Sequence, residues 1–319
     1  MRAVELQGFG QPLVVVDRPE PVATGAQQLI DVTACGVCHS DLHVADGLFG
    51  SPLPLVPGHE VTGTHPELGP VIVYAPWGCR DCWLCAEGDE MMCPDGREAG
   101  LFHDGGYAER MLVRSRADLV PLGDLDPVRA APLACGGLTA FRATSHALGT
   151  LRRRGSAARA LVIGAGGLGQ FGLQYLRLRS DAEVWAADPS PDKQRRAVEL
   201  GAVGAGPLDE IEGRFDAVLD FVGADVTLAG ATARVQRRGI VVAVGLAGGR
   251  VPFGLGAVPH EARFMSSIWG TVAELRELIA FAHEHPLEFT VETLPLDRAE
   301  EAHRRLRAGQ AAGRQVLVP

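Results

Sequence analysis

The feature that most constrains the fold is an alternation of strand-like and helix-like segments that begins near Ala160. Short apolar runs such as ALVIGAG, AEVWAAD and IVVAVGLAG are separated by segments with a helical pattern, such as GQFGLQYLRLR and DKQRRAVELGA. Alternation of this kind is typical of βαβ units, which place parallel strands in one sheet and helices on its faces. We therefore expect an α/β domain with a doubly wound parallel sheet.

A glycine-rich turn lies where the first of these strands meets the following helix. Gly164, Gly166 and Gly169 form the pattern GxGxxG in VIGAGGLGQ. In a Rossmann domain the first glycine permits the tight turn, the second lets the backbone approach a pyrophosphate at the helix N-terminus, and the third lets helix and strand pack closely. The motif alone is weak evidence, but its position between a strand and a helix favours a dinucleotide site.

The strand AEVWAAD ends in Asp188, at about the spacing at which a carboxylate contacts the adenosine ribose hydroxyls of a bound dinucleotide. A carboxylate at this position repels the 2′-phosphate of NADP(H). We therefore expect NAD(H) as the cofactor. The alternative is a structural turn without phosphates, followed by a surface aspartate.

Residues before about 136 show a different pattern, with short apolar runs interrupted by Gly, Pro and Asp, which favours a mainly β domain. The length of 319 residues allows two packed cores. No apolar run approaches the ~20 residues of a membrane span. The net charge is −9, without a basic cluster beyond Arg152 to Arg154, so we expect neither a membrane nor a nucleic-acid partner.

The seven cysteines all precede residue 136, and four of them lie in one short segment. The first residues lack the pattern of a secretory signal, so we expect a cytoplasmic protein whose thiols serve metal binding or catalysis. Cys79, Cys82, Cys85 and Cys93 form CxxCxxC followed by a fourth Cys, which suits a structural Zn²⁺ that holds a short loop. An iron–sulfur cluster is the alternative, although its fourth-ligand spacing differs.

Three separate segments, GVCHSDLH, GHE and LACGGLTAF, supply residues for a second metal site. None is diagnostic alone, because a single buried Cys or His more often packs in a core than binds a metal. Together Cys38, His59 and Cys135 provide two thiolates and one imidazole. This is the set expected of a catalytic zinc that keeps a fourth position for water or substrate.

Over nearly its whole length the chain resembles the zinc-containing alcohol dehydrogenases of the medium-chain dehydrogenase/reductase superfamily. The resemblance includes GVCHSDLH, PGHE, the cysteine segment, DGGYAERMLV, LDPVRAAPLACGGLTAFRA, VIGAGGLGQ, VLDFVG and GRQVLVP, in the family's order. It implies a GroES-like β domain in residues 1–136, to which residues 272–319 return, and a Rossmann NAD-binding domain in residues 137–271.

The resemblance also implies roles for the residues of the second metal site. Cys38, His59 and Cys135 would bind a catalytic zinc, and Glu60 would lie close behind the metal and approach it as ligands exchange. Asp41 would hydrogen-bond His59 and fix its orientation. With the cysteine segment, the resemblance implies two zinc ions per chain, one catalytic and one structural.

Further roles concern the proton path and the cofactor. Ser40 would contact the zinc-bound alcohol and pass its proton, through the cofactor ribose, to His43 and solvent. His39 would lie near the pyrophosphate, Thr139 behind the nicotinamide, and Arg314 at the cofactor phosphates. Four other cofactor contacts are expected in the Rossmann domain, from Gly167, Leu168, Lys193 and Val222.

The expected substrate pocket is apolar, with Leu48, Phe49, Trp77, Ile268 and Trp269 in its wall and core packing as the alternative for each. We therefore expect a zinc-dependent enzyme that transfers hydride between NAD(H) and a small or medium hydrophobic alcohol, aldehyde or ketone. Alternatives are a biosynthetic reductase of the same family that acts on an activated carbonyl, iminium or conjugated alkene, a polyol dehydrogenase, and a non-enzymatic NAD- or zinc-binding regulator.

The chain departs from the family pattern between Glu60 and Cys79, where it is shorter by roughly a β-hairpin and lacks the usual Gly-Asp-x-Val turn. The shortening bears on substrate size and oligomeric state, since the metal ligands lie outside it. The resemblance implies a homodimer or homotetramer that pairs through an edge strand near IVVAVGLAGG. Cys35 is expected in the core, and His65 and His103 at the surface or in loops.

Overall fold

The computed structural model describes all residues from Met1 to Pro319. The chain divides into two units. The first unit comprises Met1–Leu138 and Gly270–Pro319, and the second unit comprises Thr139–Trp269. The first unit is therefore discontinuous in sequence, whereas the second is one continuous segment.

Both units contain strands and helices. No helix combines the length and the apolar character needed to cross a membrane. The strands are β1 (Arg2–Glu5), β2 (Val14–Asp17), β3 (Gln28–Gly36), β4 (Glu60–His65), β5 (Gly69–Val73), β6 (Arg110–Val113), β7 (Leu119–Pro121), β8 (Arg159–Ile163), β9 (Glu183–Ala187), β10 (Gly204–Gly206), β11 (Phe215–Asp220), β12 (Val235–Ala243), β13 (Arg263–Ser266), β14 (Val291–Pro295) and β15 (Arg314–Val318). The α-helices are α1 (His39–Ala45), α2 (Trp83–Ala86), α3 (Pro127–Ala130), α4 (Gly136–Arg152), α5 (Gly169–Arg179), α6 (Pro191–Glu199), α7 (Asp225–Arg234), α8 (Val272–Glu284) and α9 (Ala299–Arg307).

The first unit is built on a largely antiparallel sheet with the strand order β14-β15-β3-β4-β5-β7, in which β6 also pairs with β3. In the pairing of β3 with β4, Gly36 lies opposite Glu60. On the other side of β3, Val316 of β15 also lies opposite Gly36. These registers bring the end of β3 next to the start of β4 and to β15, where the segments of the second predicted metal site meet.

The second unit contains a six-stranded parallel sheet with the order β10-β9-β8-β11-β12-β13. Along β8, Leu161 and Ile163 pack in one buried cluster, and Ala160 and Val162 pack in another. Alternate residues of the strand are thus buried on opposite faces, as expected for a parallel sheet covered by helices on both sides. The strand order reverses between β8 and β11, the position at which open α/β sheets bind ligands. The predicted doubly wound sheet is confirmed.

The prediction that the segment near IVVAVGLAGG forms an edge strand is wrong. Residues 240–243 belong to β12, which pairs with β11 on one side and with β13 on the other. The edge strands of this sheet are β10 and β13, and β13 is the one next to β12. This strand has only four residues, RFMS, and alternation of apolar and polar residues does not mark it in the sequence.

The expected surface position of His65 is also wrong, because the residue is buried at the turn between β4 and β5. Its Nδ1 accepts hydrogen bonds from the backbone N–H groups of Glu67 and Leu68, each at 3.2 Å, and its Nε2 lies 3.0 Å from Oε1 of Gln28. His65 therefore stabilises the turn that closes the shortened segment. Cys35 is buried and His103 is exposed, as expected.

Candidate active site and metal centres

Four buried side chains of the first unit converge: Cys38, His59, Glu60 and Cys135. Each offers one atom that can bind a metal, and these atoms all lie within 4.8 Å of one another. The Sγ atoms of Cys38 and Cys135 are 4.0 Å apart. Cys38 is the N-cap residue of α1, Glu60 is the first residue of β4 and follows His59 directly, and Cys135 directly precedes α4. The structure thus brings together the three segments singled out in the sequence.

The end of β3 leaves room for this cluster because residue 36 is glycine. A Cβ atom at Gly36 would lie 2.0 Å from Oε2 of Glu60. The chain then leaves the strand, and the backbone N–H of Cys38 donates a hydrogen bond of 2.8 Å to Oδ2 of Asp41 in the first turn of α1. This hydrogen bond fixes the start of the helix from which the Cys38 thiol extends.

Asp41 orients His59, and both side chains are fully buried. Oδ1 of Asp41 lies 3.1 Å from Nδ1 of His59. A carboxylate only accepts hydrogen bonds, so Nδ1 carries a hydrogen, and in the neutral ring Nε2 then presents its lone pair. This is the imidazole tautomer that a metal at Nε2 requires, and a carboxylate partner of this kind is usual behind a zinc-binding histidine.

Arg314 pairs with Glu60, and both side chains are buried. Oε1 of Glu60 accepts hydrogen bonds from the Arg314 guanidinium and, at 3.3 Å, from the backbone N–H of Gly136, whereas Oε2 has no hydrogen-bond partner. Burial raises the pKa of Glu60 to about 7, although Arg314 opposes this shift. The pair with Glu60 was not predicted from the sequence, and the expected contact of Arg314 with cofactor phosphates stays a prediction.

The donor set fits a zinc ion. Two thiolates and an imidazole are ligands of catalytic zinc sites, and the unpartnered Oε2 of Glu60 is a further oxygen donor in the cluster. A hydrogen bond with Cys135, together with nearby His59 and Arg314, lowers the pKa of Cys38 well below its usual value. This shift favours the thiolate, the form that binds a metal.

The four-cysteine segment forms a second cluster. The Sγ atoms of Cys79, Cys82, Cys85 and Cys93 lie within 4.8 Å of one another. The backbone N–H groups of Asp81 and Cys82 donate to Sγ of Cys79 at 3.4 and 3.2 Å, and they lower the pKa of Cys79 to about 7. Four thiol groups in this arrangement fit a closed, tetrahedral structural zinc.

The backbone conformation of the glycine turn in the second unit depends on the absence of side chains at its glycines. Gly164 has a φ of 85°, and its N–H donates to the carbonyl of Ala187 at 2.8 Å. A Cβ at Gly169 would lie 1.8 Å from the carbonyl oxygen of Gly164, whereas one at Gly166 would meet only Nζ of Lys193, at 3.9 Å. Helix α5 begins at Gly169 without a side-chain cap, so no side chain occupies the helix N-terminus, the position at which a phosphate binds in such a turn. The turn is completed by Gly167 and Leu168.

Asp188 connects the glycine turn to the end of β9. Its Oδ2 accepts a hydrogen bond of 3.0 Å from the backbone N–H of Ala165, and its Oδ1 accepts one of 2.9 Å from that of Ser190. Nζ of Lys193 lies 3.8 Å from Oδ2 of Asp188. Val222 follows β11 and lies against the turn, since a Cβ at Gly164 would be 2.7 Å from its Cγ2. These predicted cofactor residues therefore surround one turn of the second unit.

The other predicted site residues near the first zinc segment lie on α1 or shortly after it. Ser40 is partly buried, and its Oγ lies 3.8 Å from Sγ of Cys38. His43 is also partly buried, and its ring meets that of Phe49 edge to face at 6.2 Å. His39 is exposed at the start of α1, and Leu48 is 63% exposed.

The remaining predicted pocket and cofactor residues differ in exposure. Trp77 is buried and donates from Nε1 to the carbonyl of Tyr74 at 2.8 Å. It lines a cavity of about 540 Å³ that none of the four residues of the Cys38 cluster lines. Trp269 and Thr139 are buried, and Ile268 is 44% exposed. The role of these residues in a substrate or cofactor pocket stays a prediction.

Two buried residues near the Cys38 cluster were missed from the sequence. The Tyr107 hydroxyl donates to Oδ2 of Asp41 at 3.1 Å and lies 3.2 Å from Nε2 of His303 on α9. The two residues are 196 positions apart, so no local spacing connects them. The only signal was that His303 shares the buried face of α9 with Ala299 and Ala302, a face that helical periodicity can reveal.

Comparisons with known proteins agree with both units. Residues 25–124 match the alcohol dehydrogenase GroES-like domain, and residues 186–317 match the family described as zinc-binding dehydrogenase. The first match covers most of the antiparallel sheet and the four-cysteine segment. The second begins in β9 and ends in β15. The predicted combination of a GroES-like domain with a Rossmann-type sheet is confirmed.

Similar proteins span the whole chain. It is 33% identical to an NAD-dependent alcohol dehydrogenase from Sulfurisphaera tokodaii, over 100% of both chains. It is 30% identical to a D-arabinose 1-dehydrogenase (NADP(+)) from Saccharolobus solfataricus, over 100% of this chain and 97% of that one. Among solved structures, the alcohol dehydrogenase from Aeropyrum pernix matches with a TM-score of 0.90 and 29% identity over 100% of both chains. The chain therefore belongs to the zinc-binding alcohol dehydrogenases of the medium-chain dehydrogenase/reductase superfamily.

Proposed function

We propose that this protein is an NAD(H)-dependent oxidoreductase that interconverts alcohols and carbonyl compounds at a zinc site in its first unit. The observation that carries the proposal is the buried convergence of Cys38, His59 and Cys135, with Glu60 beside them. Two thiolates and an imidazole would hold a zinc ion and would leave a coordination position for the substrate oxygen. Three relatives that are 31–33% identical over 99–100% of this chain are named NAD-dependent alcohol dehydrogenases, which supports the same activity here.

The protein's part in the reaction is binding, orientation and proton transfer. A zinc ion in this site supplies a Lewis acid that polarises an alcohol or carbonyl oxygen. Asp41 holds the Nδ1–H of His59, so that Nε2 presents its lone pair to the metal. Arg314 compensates the negative charge of Glu60 and donates a hydrogen bond to its Oε1. Oε2 has no hydrogen-bond partner and would be available as a further oxygen donor to a bound zinc.

Ser40 and His43 form the proposed proton path. The Ser40 hydroxyl lies 3.8 Å from Sγ of Cys38, close enough to the cluster to hydrogen-bond a substrate oxygen there. His43 follows three residues later, and residues three apart lie on the same side of a helix. Because His43 is only partly buried, its ring can exchange a proton with solvent.

The second unit is the proposed NAD(H)-binding unit. The uncapped start of α5 and the open space at Gly166 suit the pyrophosphate, and Asp188 suits the ribose hydroxyls. Each Asp188 oxygen accepts one backbone hydrogen bond and keeps lone pairs for further donors. The negative charge of Asp188 favours NAD(H) over NADP(H). We assign further cofactor contacts to Lys193, Val222, His39, Thr139 and Arg314.

Small or medium hydrophobic alcohols, aldehydes and ketones are the proposed substrates, because the residues assigned to the pocket are apolar: Leu48, Phe49, Trp77, Ile268 and Trp269. A sugar is the second candidate substrate, because one relative of nearly equal identity is named D-arabinose 1-dehydrogenase (NADP(+)). Asp188 argues against the cofactor in that name. The alternatives of a biosynthetic reductase and a non-enzymatic regulator are tested by the same experiment.

The experiment is a substrate panel with both cofactors. Zinc-loaded protein is assayed for oxidation of hydrophobic alcohols, sugars and polyols with NAD⁺ or NADP⁺. In the reverse direction it is assayed for reduction of the matching carbonyl compounds and of activated alkenes with NADH or NADPH. We expect turnover of hydrophobic alcohols with NAD⁺, and loss of turnover in Cys38→Ala and His59→Ala while NADH binding is retained. Turnover in either variant equal to that of the parent protein would disprove the zinc assignment, and activity confined to sugars would replace the substrate assignment.

Association through the β13 edge is the proposed route to a homo-oligomer. β13 is one of the two edge strands of the parallel sheet, and an unpaired edge can pair with the same edge of a second copy across a two-fold axis. In the loop before it, Phe253 is 75% and Leu255 is 97% exposed, and these apolar side chains can be covered in such a dimer. Light scattering of the parent protein and of Phe253→Asp/Leu255→Asp tests the proposal, because a parent protein that stays monomeric refutes it.

The seven free cysteines support the proposed cytoplasmic location.

A further inference from the structure

A chain of buried polar contacts, made of an Asp–His contact and two hydrogen bonds, leads from His59 into the interior of the first unit. Asp41 contacts Nδ1 of His59 at 3.1 Å, the Tyr107 hydroxyl contacts Oδ2 of Asp41 at 3.1 Å, and Nε2 of His303 contacts the Tyr107 hydroxyl at 3.2 Å. Asp41, His59 and Tyr107 are fully buried, and His303 is nearly so. The chain is therefore shielded from water along its whole length.

The donors and acceptors of this chain can be assigned in one way. A Tyr hydroxyl has a single hydrogen, and a carboxylate has none to donate. The Tyr107 hydrogen therefore goes to Asp41, and His303 must donate its Nε2–H to the Tyr107 oxygen. Burial lowers the pKa of His303, so the neutral ring is favoured, with its hydrogen on Nε2. His303 thus donates to Tyr107, and Tyr107 donates to the Asp41 carboxylate.

These hydrogen bonds determine how Asp41 can be oriented. Oδ2 of Asp41 receives two donors, the backbone N–H of Cys38 at 2.8 Å and the Tyr107 hydroxyl at 3.1 Å. Together they fix the plane of the carboxylate and direct Oδ1 toward His59. Without the Tyr107 hydroxyl, Oδ2 keeps only the Cys38 N–H, and the carboxylate can rotate away from the imidazole.

The fold holds Tyr107 and His303 in place by other contacts. A Cβ at Gly58 would lie 2.4 Å from Cδ1 of Tyr107, so the tyrosine ring packs directly on the backbone that precedes His59. Helix α9, which carries His303, is tied to the end of α1 by hydrogen bonds from the Arg307 guanidinium to both carboxylate oxygens of Asp46, at 3.0 and 3.2 Å. The hydrogen-bond chain is thus supported at both ends.

We propose that Tyr107 and His303 are positioning residues for the metal ligand His59, acting through Asp41. The inference rests on the proposed function only in taking Cys38, His59 and Cys135 as zinc ligands. Partners of this kind, one step removed from a metal ligand, commonly change metal affinity by about 10- to 100-fold. Tyr107 lies two steps from the ligand, so we expect the lower end of that range.

The test compares the loss of zinc from the two sites of the same chain. Tyr107→Phe keeps the ring and removes the hydroxyl, and His303→Leu removes the donor to it. His303→Gln retains a side-chain N–H and is the conservative variant. Tyr74→Phe is the matched control, because Tyr74 is equally buried in the first unit and donates its hydroxyl to the carbonyl of Gly270 at 2.9 Å, outside this chain of hydrogen bonds.

We expect a chelator to remove the zinc of the Cys38 site about tenfold faster from Tyr107→Phe than from the parent protein. Zinc in the four-cysteine site should be lost at an unchanged rate. His303→Leu should change the rate in the same direction, and His303→Gln should restore it toward the parent value. With Co²⁺ in the Cys38 site, the visible absorption bands should shift in Tyr107→Phe and stay unchanged in Tyr74→Phe.

Two results would overturn the inference. One is equal zinc loss from the parent protein, Tyr107→Phe and Tyr74→Phe, and the other is equal acceleration at both metal sites, which indicates general loosening of the fold. His59→Ala separates this inference from the proposed function. If His59→Ala keeps both zinc ions, the proposed zinc site itself fails, whereas loss of one zinc with an unaffected Tyr107→Phe rejects only the role of Tyr107.

Discussion

The third glycine of the turn, Gly169, lies so close to Gly164 that a Cβ atom on it would be 1.8 Å from the Gly164 carbonyl oxygen. That oxygen belongs to the backbone of the turn and cannot rotate away as a side chain could. The start of α5 is thus in direct contact with the end of β8. Any side chain at position 169 must separate them.

Gly169→Ala should therefore abolish or strongly weaken NADH binding, by about tenfold or more, because the turn moves away from the position that suits a pyrophosphate. Gly149→Ala is the control, since a Cβ at Gly149 in α4 has no atom within 4 Å. Fluorescence titration with NADH measures both variants. Unchanged affinity in Gly169→Ala would refute the assignment of this turn to the dinucleotide.

Asp188→Asn should change the cofactor preference toward NADP⁺. The substitution removes the negative charge that repels a 2′-phosphate but keeps a side-chain oxygen for the N–H of Ala165. We expect the ratio of kcat/KM for NADP⁺ to that for NAD⁺ to rise by roughly tenfold or more. Asp192→Asn, at an exposed position on α6, should leave the ratio unchanged. A constant ratio in Asp188→Asn would mean that this carboxylate does not face the ribose.

Cys82→Ser should reduce the zinc content from two ions to one and lower the melting temperature. The four-cysteine segment contains only short helical turns and buries few side chains, so the metal has to supply most of its stability. Cys35→Ala is the control, because Cys35 is buried but belongs to neither cluster of metal-binding groups, so the variant should keep both ions. Metal analysis and thermal unfolding measure these effects. Two bound ions in Cys82→Ser would contradict the structural zinc.

Arg314→Met should destabilise the protein by about 3 kcal/mol, because it leaves the carboxylate of Glu60 buried without its positive partner. Glu60→Gln in the same chain should recover most of the loss, since a neutral amide does not require that partner. Urea unfolding of the four proteins of this double-mutant cycle measures the coupling. Additive effects of the two substitutions would show that the pair does not contribute as a unit.

The parallel sheet could be predicted from the sequence because its signals are local. In VIGAGGLGQ the strand, the turn and the start of the helix are contiguous, and each glycine has a separate steric reason to be there. The CxxCxxC spacing of Cys79, Cys82 and Cys85 is equally local, since a short loop brings thiols together without help from the rest of the fold. The segments around Cys38, His59 and Cys135 required a resemblance to known proteins to be joined.

Contacts between distant segments could not be predicted in this way. Nothing in the sequence around Glu60 indicates that Arg314 will lie beside it, because the contact depends on the pairing of β15 with β3. His65 shows the same limit, since its burial follows from the tight turn in the shortened segment. The sequence predicts the edge of the sheet at β12, one strand before the edge strand β13, because the four residues of β13 show no clear alternation of apolar and polar residues.

The insertion of the second unit within the first has a consequence for the order of events during synthesis. All six strands of the parallel sheet are synthesised before β14 and β15 of the antiparallel sheet. At that stage Glu60 lacks the Arg314 guanidinium, and the Tyr107 hydroxyl lacks the hydrogen bond with the His303 imidazole. A nascent chain can therefore complete the parallel sheet while the Cys38 cluster still lacks the positive charge beside Glu60, which arrives only with Arg314.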